Sequence, residues 1–452
     1  ARQGRWCVGF VAYEAAPAFD TAMAVHPAHG LLAWFGVFDR AHPWPAPSDH
    51  RYEPMSWNGG IDQAAFERTI DRIHAAIADG EVYQINLTAP WCSPFHGDPR
   101  ALFQALHRAQ PDGYAAFLDT GTQQVLSVSP ELFFDWRGGQ VLSRPMKGTA
   151  ARDADPQVDA RRAEHLRTSE KERAENLMIV DLIRNDLSRV AQPHSVQVPR
   201  LFHTQALPTV WQMTSDVTAQ VRQGVGLADI FRALFPCGSV TGAPKLRAMH
   251  WIRQLEEGPR GVYCGAVGIV RPGGAATFNV PIRTVSLQAD QARCGIGSGI
   301  TADADAAGEW AEWRSKQAFL VRAQAAFELL ETMRLEEGAL HNRDAHLARM
   351  AAAARHFGFA WDERSTVEAL DPVAATHPQG LWRVRLLADA QGACRAEAFA
   401  LGPTAQPVPV QLASRPFVDA RSEFVRFKTT RRAHYDAFAP SDPAVFDTLL
   451  WN

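Results

Sequence analysis

The residues best equipped for chemistry gather in one stretch, Ser127 to Thr149, reading SVSPELFFDWRGGQVLSRPMKGT. Glu131 is a candidate general acid. Lys147 is a candidate nucleophile, provided that burial or charge frees its amine. The competing reading is a surface hairpin carrying one solvated ion pair, the commoner use of such residues. A second set is formed by two E-x-x-E pairs, Glu172 with Glu175 and Glu309 with Glu312. Carboxylates three apart share a helical face. One such pair is ordinary on a solvated helix, but two pairs facing each other would cage a hard cation such as Mg2+. Lys316 continues the stripe of Glu309 and Glu312. Far along the chain, Lys428 opens a basic, polar segment after an apolar run and has the chemistry for a Schiff base. Arg349, near the start of an alanine-rich helix, has the chemistry to hold a phosphate. A solvated basic turn and a solvated helix arginine are the plainer alternatives.

These groups need elements to position them. The apolar runs 125–128 and 131–136 read as strands. Arg137-Gly138-Gly139-Gln140 reads as a tight hairpin turn, and 141–143 as the returning strand. That hairpin brings Glu131 and Lys147 towards one end of a sheet. Ahead of it, residues 1–56 read as strands and turns ending in a proline-rich loop (HPWPAP). Asp62 caps a helix with Phe66, Ile70, Ile73 and Ile77 on one face, closed by Gly80. The run 81–87 is an alternating strand in which Gln84 and Asn86 share a face, either buried or half solvated. Behind the hairpin, 153–169 reads as a polar loop running into a long helix with Leu177, Val180, Ile183 and Leu187 inward. Residues 208–213 read as a strand and 227–235 as a helix. PCGSVTGAPK is a loop of small residues before a helix N-terminus, a setting that suits an anion without the spacing of a Walker loop. Three further strands follow, with Gly297-Ser298-Gly299 permitting close backbone approach. Residues 302–330 read as the longest helix.

Composition limits the rest. A length of 452 residues implies more than one domain, and 46% hydrophobic with 21% charged residues is that of an ordinary globular protein. A net charge of -3 gives no case for nucleic acid or an anionic membrane surface. No apolar run is long enough to span a bilayer. The 6 cysteines form no C-x-x-C pair, which points to a reducing cytosol rather than a disulfide framework or zinc site. Cys237 is read as structural. The chain begins in a strand-like run and stops just after an apolar one, so the expectation is a longer polypeptide with both end domains incomplete.

Taken together, SPELFF, PMKGT, ERAENLMIVDLIRNDL, PCGSVTGAPK, GVYCGAVG, IRTV, GSGI and EWAEWRSK resemble the chorismate-utilising enzymes, in the order that family has them. That family includes anthranilate, aminodeoxychorismate, isochorismate and salicylate synthases. The resemblance implies an α+β fold, a chorismate-binding sandwich of antiparallel sheets and helices over residues 1–325. It implies Mg2+ held by Glu175 and Glu312, with Glu172 and Glu309 beside them. It implies chorismate held by Gly148, Thr149, Tyr263, Arg283, Gly297, Ser298, Gly299 and Lys316, with Arg283 on a carboxylate. Two positions select a branch. Gln84 stands where a water-activating lysine would, against C2 hydroxylation. Lys147 stands where anthranilate synthases carry alanine, and resembles the aminodeoxychorismate synthase signature. The implied chemistry is addition of Lys147 at C2 with loss of the C4 hydroxyl, assisted by Glu131, then attack of ammonia at C4. No glutaminase unit is visible, so a separate glutamine amidotransferase subunit would supply the ammonia. Gln212 replaces a histidine common in the family.

Residues 326–452 resemble fold-type IV pyridoxal-phosphate enzymes, specifically 4-amino-4-deoxychorismate lyase, through LLETMRLEEG, HLARM and RFKTTRRAHYD. Lys428 falls on the Schiff-base lysine and Arg349 on the phosphate-binding arginine of this partial α/β domain. The family segment with the glutamate for the pyridinium nitrogen has no counterpart here. A synthase fused to a lyase would make 4-aminobenzoate for folate. The rival readings are anthranilate synthase, and a C-terminal part that is a non-catalytic interaction module.

Overall fold

The structure is a computed structural model that describes residues 1, 3–44, 51–111, 113–153, 155–207, 210–323, 327–402, 407–417 and 423–451. The HPWPAP loop beyond Trp44, Pro208 and Thr209, the 325/326 boundary and part of the GPTAQPVPV run lie outside the described residues. The chain divides into two compact units, Ala1–Gln324 and Ala325–Asn452. The fold is α+β.

The first unit is built on two antiparallel sheets. The larger has nine strands, ordered Gln197–Ala206, Val210–Gln220, Gln140–Arg144, Leu132–Arg137, Ala276–Asn279, Ala266–Val270, Trp6–Val11 and Ala33–Phe38, with Met146–Ala151 also paired to Val210–Gln220. The second has seven and centres on Gln84–Pro94 and Gln291–Ile300, paired along their whole length. The hairpin forms as its turn residues dictate. Gly138 and Gly139 take φ of 56° and 80°, the mirror-image turn that matches strand twist, and Arg137 pairs with Gln140 across it. Phe133, Phe134, Phe231, Phe235 and Phe278 pack edge to face beneath it, with ring centroids between 5.0 and 6.3 Å apart. The second core joins Phe66, Ile70 and Ile73 of the Asp62-capped helix to Trp313.

Four local readings change. Residues 153–169 contain a helix of their own, Pro156–Thr168, because Asp155 caps it; Ser169 then caps Glu170–Ser188, the longest helix among the described residues. On that helix Leu177 is exposed, and Asn176, Ile179, Val180, Ile183 and Leu187 form the buried face. Within 302–330 the described residues form two short helices, Ala306–Lys316 and Ala318–Ala323, and Leu329 already opens a strand. Asp305 delays the start by capping Ala307 and Gly308, and the chain turns at Gln317. Gln84 and Asn86 lie in a strand buried on both faces, at 0% and 7% exposure, so the half-solvated reading fails.

The second unit has a four-stranded antiparallel sheet in which Leu329–Glu336 and Leu381–Ala388 pair along their length, with helices Arg343–Phe357 and Glu363–Thr376. The residues before Lys428 form a one-turn helix, Glu423–Arg426, rather than a strand. Thr429 bridges Leu329, and the Leu330 amide donates to the Lys428 carbonyl, so Lys428 sits against the first strand of the sheet.

Candidate active site

Glu131 occupies the gap between strands Gln124–Ser129 and Leu132–Arg137. Its amide donates to Ser129 Oγ and its carbonyl accepts from Val280, so the side chain has little freedom. It is 3% exposed. Burial pushes its carboxyl up to about 7, against the hydrogen bond from Ser239, the Met146 amide, and the charges of Lys316 and Lys147. A carboxyl at that value holds its proton near neutrality, which is what a general acid needs.

Lys147 lies in the strand Met146–Ala151. Its Nζ is 2.8 Å from Glu175 Oε2 and 3.5 Å from the Gly299 carbonyl. Burial pulls the amine's pKa down, but Glu175, Glu312 and Glu309 outweigh it, and the net direction is up. The sequence-based requirement of a freed amine is therefore not met while the carboxylates stand alone. A cation among them would counter the pull of the carboxylates on the amine.

The two E-x-x-E helices converge on Lys147. Glu175 Oε1 also accepts from Thr301, and Glu309 Oε2 from Ser298, itself bonded by Trp313 Nε1. Burial, and then the neighbouring Glu175 and Glu312 respectively, raise the carboxyls of Glu172 and Glu309. Glu312 is held down, because Lys316 at 2.7 Å overcomes the effect of burial. Lys316 also donates to the Gly297 carbonyl at 2.9 Å. Mutual repulsion among oxygen donors is the signature of a site short of positive charge, so these residues fit a hard divalent cation. As they stand, no three such side chains among the described residues are close enough to form a ready cage.

The glycines are explained by what presses on them. A Cβ on Gly148, which has φ of 90°, would lie 2.5 Å from Glu172 Oε2. One on Gly299 would meet Gln84 Nε2 at 2.7 Å and Lys147 Nζ at 3.0 Å. Gln84 is fully buried, and neither polar atom of its amide has a partner, so it faces this space with its hydrogen bonds unmade. Arg283, at φ of 50°, has its pKa lowered by burial and pairs with no carboxylate among the described residues; its guanidinium rests over Phe319 at 5.2 Å. An unneutralised, largely desolvated guanidinium has the chemistry to receive a carboxylate. The Tyr263 ring covers Gly295 and borders a cavity of about 110 Å³ that Thr284 and Trp313 also line. Thr149 donates to Gln212 Oε1 at 3.0 Å, and Gln212 Nε2 donates to the Gly148 carbonyl at 2.7 Å. In place of a titratable group, Gln212 ties down the strand that bears Lys147.

Two residues not singled out as site residues from the sequence are bonded in line with Glu131. Ser239 donates to Glu131 Oε1 at 2.6 Å, and Cys237, read as structural, lies 3.2 Å from Ser239 Oγ. Both sit in the loop read as an anion site, whose Lys245 is instead tied to Asp186 at 2.6 Å. The signal was a hydroxyl in a small-residue loop, uninformative without the fold.

In the second unit, Glu331 is 1% exposed and accepts from Arg349 through both oxygens, at 2.6 and 2.5 Å, with His346 at 2.8 Å. Burial lowers the pKa of Lys428, with Glu331 opposing and Arg349 assisting. A lysine tuned downward beside an arginine with donors to spare fits pyridoxal phosphate.

Comparison with known proteins bears on both units. The family model for chorismate binding enzymes matches residues 38–322, and that for class IV amino-transferases matches 328–439. Aminodeoxychorismate synthase component 1 of Klebsiella aerogenes is 40% identical over 257 residues, 57% of this chain and 57% of that protein. Aminodeoxychorismate synthase of Streptomyces griseus is 44% identical over 285 residues, 62% of this chain and 39% of that protein. The chain thus spans little more than half of the first relative and less of the second. Anthranilate synthase component I from Streptococcus pneumoniae TIGR4 superposes with a TM-score of 0.63 at 27% identity, covering 70% of this chain and 80% of that one. With a family model matched over most of its first unit and a second over its remainder, the chain belongs to the chorismate binding enzymes and carries a class IV amino-transferase domain behind them.

Proposed function

We propose that the first unit converts chorismate and ammonia to 4-amino-4-deoxychorismate and water. The observation that carries this reading is Lys147 itself, a mostly buried amine at the meeting point of Glu175, Gly299 and Gln84. Arg283 takes one carboxylate of chorismate, and Gly297–Gly299 let its ring approach the backbone. Lys147 adds at C2, the ring double bond shifts, and the C4 hydroxyl departs with a proton from Glu131. Loss of bare hydroxide would be far slower, and a positioned acid is worth about 10²–10⁴-fold. Ammonia then attacks C4, the double bond returns, and the Lys147 amine leaves C2. Glu172, Glu175, Glu309 and Glu312 are the residues that would hold Mg2+, which would neutralise a substrate carboxylate and relieve the anionic field on Lys147. A glutamine amidotransferase subunit is the proposed source of ammonia.

In the second unit Lys428 and Arg349 would hold pyridoxal phosphate, which supplies an electron sink for eliminating pyruvate from aminodeoxychorismate. Glu331 keeps Arg349 and His346 in place, and the product would be 4-aminobenzoate for folate synthesis in the cytoplasm.

The test is product identity by mass spectrometry, with chorismate, Mg2+ and an ammonium salt. Aminodeoxychorismate or 4-aminobenzoate supports the reading; anthranilate overturns it. Lys147 is the feature against the anthranilate alternative.

A further inference from the structure

We propose that Ser239 and Cys237 are positioning residues for Glu131: the Cys237 thiol donates to Ser239 Oγ, the Ser239 hydroxyl donates to Glu131 Oε1, and the proton that Glu131 delivers is thereby carried on Oε2. The proposal rests on the reading of Glu131 as the general acid.

The order of donors follows from the inventory of hydrogens. A serine hydroxyl has one proton to give. Its two neighbours are Glu131 Oε1 at 2.6 Å and Cys237 Sγ at 3.2 Å. A carboxyl oxygen is a strong acceptor and a thiol sulfur a weak one, so the hydroxyl proton goes to Glu131. Ser239 Oγ is then left as an acceptor towards Cys237, whose thiol is 2% exposed and is kept protonated because burial pushes it up to about 12. With Oε1 engaged as an acceptor, the acidic proton of Glu131 is left to Oε2.

The segment holding Ser239 is fixed from both sides. Thr241 Oγ1 donates back to the carbonyls of Cys237 and Gly238, and Arg260 Nη1 donates to the Val240 carbonyl at 2.7 Å. The chain of bonds therefore starts in a rigid loop and ends on a carboxyl whose backbone is also pinned. The other groups facing Glu131 are Lys147 and Lys316, the Met146 amide, and the more remote thiol of Cys264. Neither lysine is within reach of Ser239 in the hydrogen bonds described, so among the side chains facing Glu131 the Ser239 hydroxyl is the one bonded to a single carboxyl oxygen, Oε1.

The experiment measures kcat/KM for chorismate against pH in the wild type, Ser239→Ala, Ser239→Thr and Cys237→Ala, together with titration of the Glu131 carboxyl by 13C NMR in each, assigned with Glu131→Gln. Ser239→Ala removes a bond that favours the carboxylate, so the carboxyl titrates higher, and the alkaline fall in kcat/KM moves up by about one pH unit. At pH 7 its rate falls about tenfold from lost orientation. Ser239→Thr, which keeps the hydroxyl, restores both readouts. Cys237→Ala leaves the alkaline limb in place and costs about twofold in rate. An alkaline limb and carboxyl titration unchanged in Ser239→Ala would overturn the proposal, as would equal losses in the Ala and Thr variants. Failure of the underlying reading looks different: Glu131→Gln would then keep wild-type activity whatever Ser239 does.

Discussion

Two lysines are proposed for covalent chemistry, and their amines are shifted in opposite directions. Lys147 has Glu175 at 2.8 Å with Glu309 and Glu312 near, and its pKa is raised in spite of burial. Burial takes the pKa of Lys428 down, with Glu331 opposing and Arg349 and Arg432 assisting. The difference separates two ways to free an amine. Lys428 is tuned by its own unit. Lys147 is held charged until something positive joins the carboxylates, which ties its activation to cation and substrate binding.

The largest effect expected from breaking this contrast is at Lys147. Lys147→Ala should lower aminodeoxychorismate formation about 10³-fold or more, whereas Lys428→Ala should leave it within about twofold. Assay of the product with ammonium salt checks both, and equal losses would erase the distinction. Next comes the cation. Chelation should abolish the synthase reaction, with Mg2+ restoring it, and should leave untouched the yellow absorbance that develops when pyridoxal phosphate is added. Lys428→Ala should lose that absorbance; a wild-type protein that stays colourless would favour a non-catalytic second unit.

Glu131 sharpens the comparison through stability. Its carboxyl titrates at about 7 in the folded chain against 4.5 when free. Folding therefore favours its protonated form. That contribution is fully present below about pH 4.5 and is lost as pH rises through 7. Glu131→Gln should be more stable than the wild type at pH 8, by about 2–3 kcal/mol, with the gap closing towards pH 5. Thermal melts at both pH values read it, and a gap independent of pH would deny the burial effect. The smallest effect is at Gln212. Gln212→Ala frees the Gly148–Thr149 backbone, and KM for chorismate should rise about threefold with kcat little changed.

Much of this was legible in the sequence, unevenly. The Gly138-Gly139 hairpin, the Asp62 cap and the two E-x-x-E helices were local signals, and local signals survive folding. Leu177 was misread because several helix faces carry apolar residues, and only packing selects one. The 302–330 helix was overextended because the Asp305 cap and the Gln317 turn left no strong break in the pattern. The bonds from Cys237 through Ser239 to Glu131 join loop and strand residues far apart in sequence, so no spacing revealed them. The balance of charge on Lys147 was equally hidden, since it depends on distances between helices.

The most direct test of the central claim is the mass of the peptide containing Lys147 after incubation with chorismate and Mg2+ in the absence of ammonia. A covalent Lys147 adduct makes a fraction of that peptide heavier by chorismate less one water, disappearing when ammonium salt is added. Only unmodified Lys147, in a preparation that then makes aminodeoxychorismate at its full rate, would contradict it.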